Sequence, residues 1–298
     1  MKILNFGSLN LDMVYTVDHF VRPGETLSSE KLEKFCGGKG LNQSVALARA
    51  GAHVYHAGCV GKDGEMLVAL LGDSGVHTEF VTVLDSPSGH AIIQVDHKGQ
   101  NCILLHGGSN RMITPEMVDS VIESFDAGDV LLIQNEINQL DYIINKASEK
   151  GMRIALNPSP VSDTLLKLQL EKIHWFILNE IEGKEISGKT KPDEILAGFR
   201  SKYPESTVIL TLGKDGAIYD DGSKRCRHGI YNVPVVDTTA AGDTFTGYFL
   251  TCITSGKTPE ESLRIASVAS SLAVSQKGAA PSIPNMDQVL SADLRLMD

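Results

Sequence analysis

The chain lacks a cysteine framework: Cys36, Cys59, Cys102, Cys226 and Cys252 are odd in number, far apart and form no C-x-x-C pair. Neither a disulfide scaffold nor a zinc site is indicated, and the thiols read as ordinary reduced ones. Long apolar runs are also missing. No stretch approaches the roughly 18 residues of a membrane helix, and the opening MKILNFGSLNLD meets Asp12 too early to hold a signal-peptide core. A cytoplasmic location is expected, with no membrane partner. Positive charge is the third scarcity, since 27 Lys and Arg stand against 37 Asp and Glu, a formal net charge of −10. Such a chain has no long-range field to draw in nucleic acid or an anionic surface. An anionic ligand must therefore be held by a local arrangement of amides or by a metal.

What is present is a sequence of 298 residues, 42% hydrophobic and 21% charged, with 28 Gly and 11 Pro scattered along it. That is enough apolar material for a sizeable core and fits neither disorder nor a fibrous repeat. Apolar runs of strand length at Ile3–Phe6, Val54–Cys59, Val130–Gln134, Ile154–Asn157, Trp175–Leu178 and Val208–Leu212 alternate with helical patterns. This rhythm predicts an α/β fold with a mostly parallel sheet covered on both faces. Helix starts are marked at Thr114-Pro115-Glu116 and at Thr258-Pro259-Glu260-Glu261, the second with Glu261 at capping-box spacing. Two stretches break the rhythm. His90 to His106 reads as a hairpin, and Met13 to Phe35 places Pro23-Gly24 between extended segments, so a small sheet standing apart is expected. No linker divides the chain, which reads as one domain over residues 1–298 with this β appendage.

Val235 to Gly247 runs from an extended segment through Thr238-Thr239-Ala240-Ala241-Gly242 into a helix carrying Asp243 in its first turn. Small residues let backbone N–H groups at a helix start face a common anion, where the dipole also helps. Asp243 is then either a helix-start carboxylate that suits the dipole or a general base beside an anion hole, as phosphoryl transfer to a hydroxyl needs. A second Gly-rich segment, Gly37-Gly38-Lys39-Gly40-Leu41-Asn42-Gln43, leads into another helix. It fails the dinucleotide fingerprint, because Gln43 stands where that motif wants Gly or Ala. Gly183 to Thr190 matches the P-loop pattern, yet Glu180, Glu182 and Glu185 crowd the supposed cradle. Asn179 to Ile186 reads better as a short helix closed by Gly188, with Asn179 at a strand end and Glu182 placed to hold Mg²⁺ through water. Polar residues at further strand ends, Gly7 to Asp12, Gln134 to Glu136, Asn157 to Pro160 and Thr211 to Gly216, are what a ligand crevice in an open α/β sheet requires.

In this order the segments resemble the ribokinase-like sugar kinases, the phosphofructokinase-B family, and within it the members that act on ribose. The motifs that carry the likeness are Gly7-Ser-x-Asn10-x-Asp12, Pro23-Gly-Glu-Thr26, Gly37-Gly-Lys-Gly-x-Asn42-Gln, Gln134-x-Glu136, Asn157-Pro-x-Pro160, Asn179-Glu-x-Glu182, Thr211-Leu-Gly213, Asp237-Thr-x-Ala-Ala-Gly-Asp243 and Lys277-Gly-Ala-x-Pro-Ser282. The resemblance implies a three-layer α/β/α fold whose small sheet, from about 13–36 and 88–107, is a lid and a homodimer contact. It implies ATP-dependent phosphorylation of the primary hydroxyl of D-ribose, with Asp243 as base and Ala240, Ala241 and Gly242 as anion hole. Asn10, Asp12, Gly38, Lys39, Gly40, Asn42 and Glu136, with Asp243, fall where the family grips the sugar. Asn179, Thr211, Gly213, Lys214, Gly216, Gly242 and Ser267 fall where it holds ATP. Glu182 matches the acidic residue that organises Mg²⁺, and Asp237, Thr239, Ala273, Gln276, Gly278 and Ser282 match positions around an activating K⁺. Asn135 and Ser267 depart from the residues usual at their positions. Deoxyribose, fructose or a nucleoside are alternative acceptors, although the lid segments offer little aromatic surface for a base beyond Tyr15, Phe20 and Phe35. A non-catalytic sugar sensor on the same fold is the alternative of another class.

Overall fold

The computed structural model describes residues 1–297. Its strands among these residues are β1 (Ile3–Phe6), β2 (Asn10–Thr16), β3 (Lys31–Gly37), β4 (Val54–Gly61), β5 (His77–Leu84), β6 (Gly89–Val95), β7 (Asn101–His106), β8 (Val130–Gln134), β9 (Arg153–Asn157), β10 (Trp175–Asn179), β11 (Thr207–Thr211), β12 (Ala217–Asp220) and β13 (Arg225–His228). Nine of them form one sheet in the order β13-β12-β11-β10-β9-β8-β1-β4-β5. Pairing is parallel from β5 to β11 and antiparallel at β12 and β13.

The continuous apolar runs are explained by burial on both faces. Along β8, Val130 and Leu132 enter one core while Leu131 and Ile133 enter the other, all fully buried. Helices Lys39–Arg49, Glu65–Asp73, Ala241–Thr254 and Pro259–Val274 cover the first face. Helices Pro115–Glu123, Leu140–Glu149, Glu180–Ser187 and Pro192–Lys202 cover the second. This is the three-layer α/β/α arrangement. No helix among the described residues is long and apolar enough to cross a membrane.

From β1 the chain winds outward through β4 and β5, then returns to the other side of β1 and winds through β8 to β11. The order thus reverses between β1 and β8, and a crevice opens there at the carboxyl ends of the strands. Register brings the polar strand ends level: Gln134 pairs with Asn157, and Asn179 with Thr211.

The separate sheet has the order β3-β2-β6-β7. Its strand β2 starts at Asn10, earlier than the periodicity suggests, so Asn10 and Asp12 belong to the small sheet itself. One expected cap is only half made. Thr258 accepts from the Glu261 N–H at 3.2 Å, but the Glu261 carboxylate takes Lys257 Nζ at 3.0 Å instead of closing a capping box.

Candidate active site

The turn after β1 and the start of helix Lys39–Arg49 are built against each other. Gly38 caps that helix at φ 94°, a conformation costly for any side chain, and a Cβ on Gly40 would stand 2.3 Å from the Ser8 nitrogen. This close approach lets Glu136, beyond β8, bind both segments. Its Oε2 accepts from Ser8 Oγ at 2.5 Å and from the Lys39 N–H at 3.1 Å. Asp12 lies beside Gly37, and its pKa is pushed up to about 6, first by burial and then by the neighbouring charge of Glu136. Asn10 accepts from Asn110 Nδ2 at 2.7 Å, which turns its own amide donors away from that contact. Carboxylates and amides so gathered suit a ligand with several hydroxyls.

Asp243 closes this group. Its Oδ2 accepts from Asn42 Nδ2 at 3.1 Å and its Oδ1 from Gln43 Nε2 at 2.9 Å, and the residue is buried. Asn42 Oδ1 is buried without a partner among the described residues, leaving an acceptor for a ligand. Lys39 reaches the same space. Burial alone lowers its pKa, but the carboxylates of Asp243, Glu136 and Glu182 outweigh that, so it stands above the ordinary lysine value and carries its charge firmly.

The helix Ala241–Thr254 begins from Ala240, whose φ of 59° is left-handed despite its Cβ. Such strain in a small residue at a helix start is tolerated where the surroundings fix it. Of the three expected anion-hole amides, that of Ala241 is partly engaged, donating to Thr238 O at 3.3 Å. Among the described residues the N–H groups of Ala240, Gly242 and Asp243 have no backbone acceptor, and Gly242 is exposed. These amides open into a cavity of about 230 Å³ that Lys39, Asn179, Glu182, Thr211 and Asp243 also line.

A larger cavity of about 410 Å³ adjoins it and shares Thr211, Thr238, Ala241 and Gly242. Here the structure gathers Thr211, Gly213, Lys214, Gly216, Gly242 and Ser267, six of the seven expected nucleotide residues; Asn179 lies in the smaller cavity. Sequence reading missed its walls, Tyr231, Val233, Phe245 and Val274, which offer apolar surface to a planar base. Nothing in their residue types distinguishes them from core.

The resemblance to a P-loop ends here. Residues Glu180–Ser187 form a helix closed by Gly188 at φ 73°, and no glycine-rich cradle follows β10. Asn179 and Glu182 form its capping box. Glu182 Oε2 accepts from the Asn179 N–H at 2.9 Å, Oε1 from Asn179 Nδ2 at 3.0 Å, and Asn179 Oδ1 from the Glu182 N–H at 3.0 Å. Burial raises the Glu182 pKa despite these donors. The spacing that suggested metal binding is thus also a helix-start signature.

Around the expected cation, Asp237 Oδ1 accepts from Thr239 N at 2.9 Å and Oγ1 at 2.6 Å, and Oδ2 from Gly278 N at 2.9 Å. Burial opposes ionisation, but these donors prevail and hold the Asp237 pKa below the usual carboxylate value. The carboxylate thereby ties the loop before helix Ala241–Thr254 to the one after Val274. The Ala273 carbonyl accepts from the Gln276 N–H, and Ser282 Oγ donates to Ala279 O at 2.8 Å. Backbone and carboxylate oxygens in tied loops fit a hard monovalent cation. Asn135, the unusual residue before Glu136, donates to Pro160 O at 2.6 Å and Ser162 Oγ at 3.0 Å, anchoring the loop after β9.

A corner of carboxylates and amides suited to a ligand with several hydroxyls, a buried carboxylate at an open helix start and a larger adjoining cavity, together on a doubly wound sheet, fit a phosphotransferase. The pattern of the pfkB family carbohydrate kinases matches residues 1–286, and the chain belongs to that family of sugar kinases. It is 35% identical over 298 residues to the ribokinase of Haemophilus influenzae, with 95% of each chain covered. To the ribokinase of Bacillus subtilis it is 33% identical over 295 residues, covering 97% of this chain and 98% of the other. A ribokinase structure from Cryptococcus neoformans var. grubii serotype A in complex with ADP matches at TM-score 0.85 and 32% identity, covering 97% of this chain and 98% of that one. Arabidopsis thaliana ribokinase complexed with ribose and ATP matches at TM-score 0.84 and 30% identity, with 97% of each chain covered.

Proposed function

We propose that the protein is an ATP-dependent ribokinase, transferring the γ-phosphoryl group of ATP to the primary 5-hydroxyl of D-ribose. The observation that carries this reading is the position of Asp243, which lies between the carboxylate and amide corner on one side and the open amides on the other. Asp243 accepts the hydroxyl proton as that oxygen bonds to the γ-phosphorus and the bond to ADP breaks. The amides at the helix start and the charge of Lys39 offset the negative charge on the transferring group. Asn10, Asp12, Gly38, Lys39, Gly40, Asn42 and Glu136 hold the sugar. The base lies against Tyr231 and Val274, with Ser267 beside it.

Bound Mg²⁺ would neutralise triphosphate charge in the smaller cavity, with Glu182 acting on it through water. A K⁺ ion held by oxygens of Asp237, Thr239, Ala273, Gln276, Gly278 and Ser282 would brace the loops that present the helix start. The small sheet serves as a lid over the sugar, and its exposed Leu32, Phe35, Ile103, Leu104 and Leu105 support pairing of two copies through it. Full-length identity to ribokinases favours ribose as acceptor. The test is coupled ADP release over ribose, deoxyribose, fructose, 2-keto-3-deoxygluconate and nucleosides, with and without K⁺. Ribose is expected to give the highest kcat/KM, and K⁺ to raise it. A higher value for deoxyribose or fructose would overturn the acceptor, and no turnover with any of them would overturn the kinase reading.

A further inference from the structure

Behind Asp243 lies a chain of buried amides that the reaction described above does not use. Asn5 of β1, Gln134 at the end of β8, and Gln43 are each fully buried. Asn5 Nδ2 donates to the Gly40 carbonyl at 2.7 Å and to Ser44 Oγ at 2.8 Å. Because a carbonyl only accepts, this contact fixes which way the Asn5 amide faces and turns its Oδ1 toward Gln134. Gln134 Nε2 then donates to Asn5 Oδ1 at 2.9 Å and to Gln43 Oε1 at 2.7 Å. With its oxygen so held, Gln43 presents Nε2 to Asp243 Oδ1 at 2.9 Å. A second backbone anchor agrees. Asn157 Nδ2 donates to Ile177 O at 2.8 Å, which leaves Asn157 Oδ1 to accept from Gln43 Nε2 at 3.3 Å.

We infer that Gln134 is a positioning residue for the catalytic base: by holding the Gln43 oxygen, it forces the Gln43 amide to donate to Asp243. If Gln43 turned over, its oxygen would face the carboxylate, disfavouring the ionised base and pushing it out of line. One cost of this polarity is visible. Gln134 Oε1 is buried with no partner among the described residues, and a Cβ on Gly7 would stand 2.5 Å from it. A buried orphan acceptor is ordinarily avoided, so its presence fits an orientation imposed by the rest of the chain. The groups facing Asp243 are Asn42 and Gln43 from one helix and the ammonium of Lys39 from that helix's start.

This inference rests on Asp243 being the base of a sugar kinase, and its test separates the two. Gln134→Met and Gln43→Met keep chain length and remove the amides. Each should lower kcat by roughly 10–100-fold, within the range of base-assisted catalysis, with the sugar KM within about threefold. The double variant should be no slower than Gln43→Met, because Gln134 acts through Gln43. Gln134→Asn retains a polar group but is too short to reach Gln43, and should reproduce the defect if the methionine variant does not fold. Unchanged kcat in folded Gln134→Asn, a sugar KM that rises as much as kcat falls, or losses that multiply in the double variant would overturn the inference while wild-type turnover still supports the kinase. Absence of wild-type turnover would instead remove the reading beneath it.

Discussion

Gly247 crosses Ala46 so closely that a Cβ on the glycine would stand 2.5 Å from the alanine Cβ and 2.8 Å from its carbonyl carbon. The two residues lie on the helices that carry Asp243 and Asn42-Gln43, one turn or so from each. Their contact sets the separation across which the two amides reach the base.

Replacing Gly247 by Ala would ordinarily favour a helix interior by roughly 0.5–1 kcal/mol. Here the collision is with backbone, which cannot rotate away, and overpacking of this kind costs about 1–3 kcal/mol. The steric term wins. Gly247→Ala is expected to lower the unfolding free energy in urea and to reduce kcat by about tenfold or more, since small misplacements of catalytic groups are costly. Wild-type kcat in this variant would show that the crossing does not position Asp243.

Asp243→Ala removes the proposed proton acceptor while leaving the helix start in place. It is expected to lower kcat by roughly 10²–10⁴, the usual scale of a general base, with an unchanged circular dichroism spectrum. Turnover near the wild-type rate would mean that another group takes the proton.

The parts of this arrangement differ in how openly they are written in the sequence. Val130–Ile133 is an unbroken apolar run because both its faces are buried, and Thr114-Pro115 marks a helix start because Thr114 accepts from the Met117 N–H at 3.3 Å. Asp243 and the Gly37 to Gln43 segment were legible because small residues beside a lone carboxylate or lysine have a chemical reason to exist. The amide chain was not. Asn5, Gln43 and Gln134 are ordinary polar residues until β1 and β8 become neighbours, and their polarity is decided by the Gly40 and Ile177 carbonyls. Tyr231 and Phe245 likewise look like core until the loop after β13 folds over the cavity. Glu182 was read for its charge, whereas its first task is to cap its own helix.

The sugar-binding role proposed for Asp12 carries a pH dependence. With a pKa of about 6 it is mostly protonated at pH 5 and mostly ionised at pH 7. The ionised carboxylate accepts from sugar hydroxyls with both oxygens, and protonation removes part of that capacity. The KM for ribose should therefore rise by about tenfold from pH 7 to pH 5, the change in ionised fraction for a single group. Asp12→Asn is neutral at both pH values and should show a high KM without that slope. If the variant keeps the same slope, another group is responsible.

His56 extends the acid response to the stability of the site. It is fully buried beside Ser44, whose Oγ lies 2.8 Å from His56 Nδ1, while Nε2 has no partner among the described residues. Burial lowers its pKa from 6.5 to about 4, only partly opposed by the Gly7 backbone. Between these values the unfolded chain takes up a proton that the folded chain refuses, so stability falls as pH drops from 6.5 toward 4 and is fully retained above 6.5. For a single group the loss at pH 5 is about 2 kcal/mol. Urea unfolding at pH 7 and pH 5 should show the wild type losing ~2 kcal/mol more than His56→Gln, which has no proton to accept. Equal losses in the two proteins would assign the acid sensitivity to other groups. Ser44 Oγ also accepts from Asn5 Nδ2 at 2.8 Å, so His56 packs against the amide chain behind Asp243.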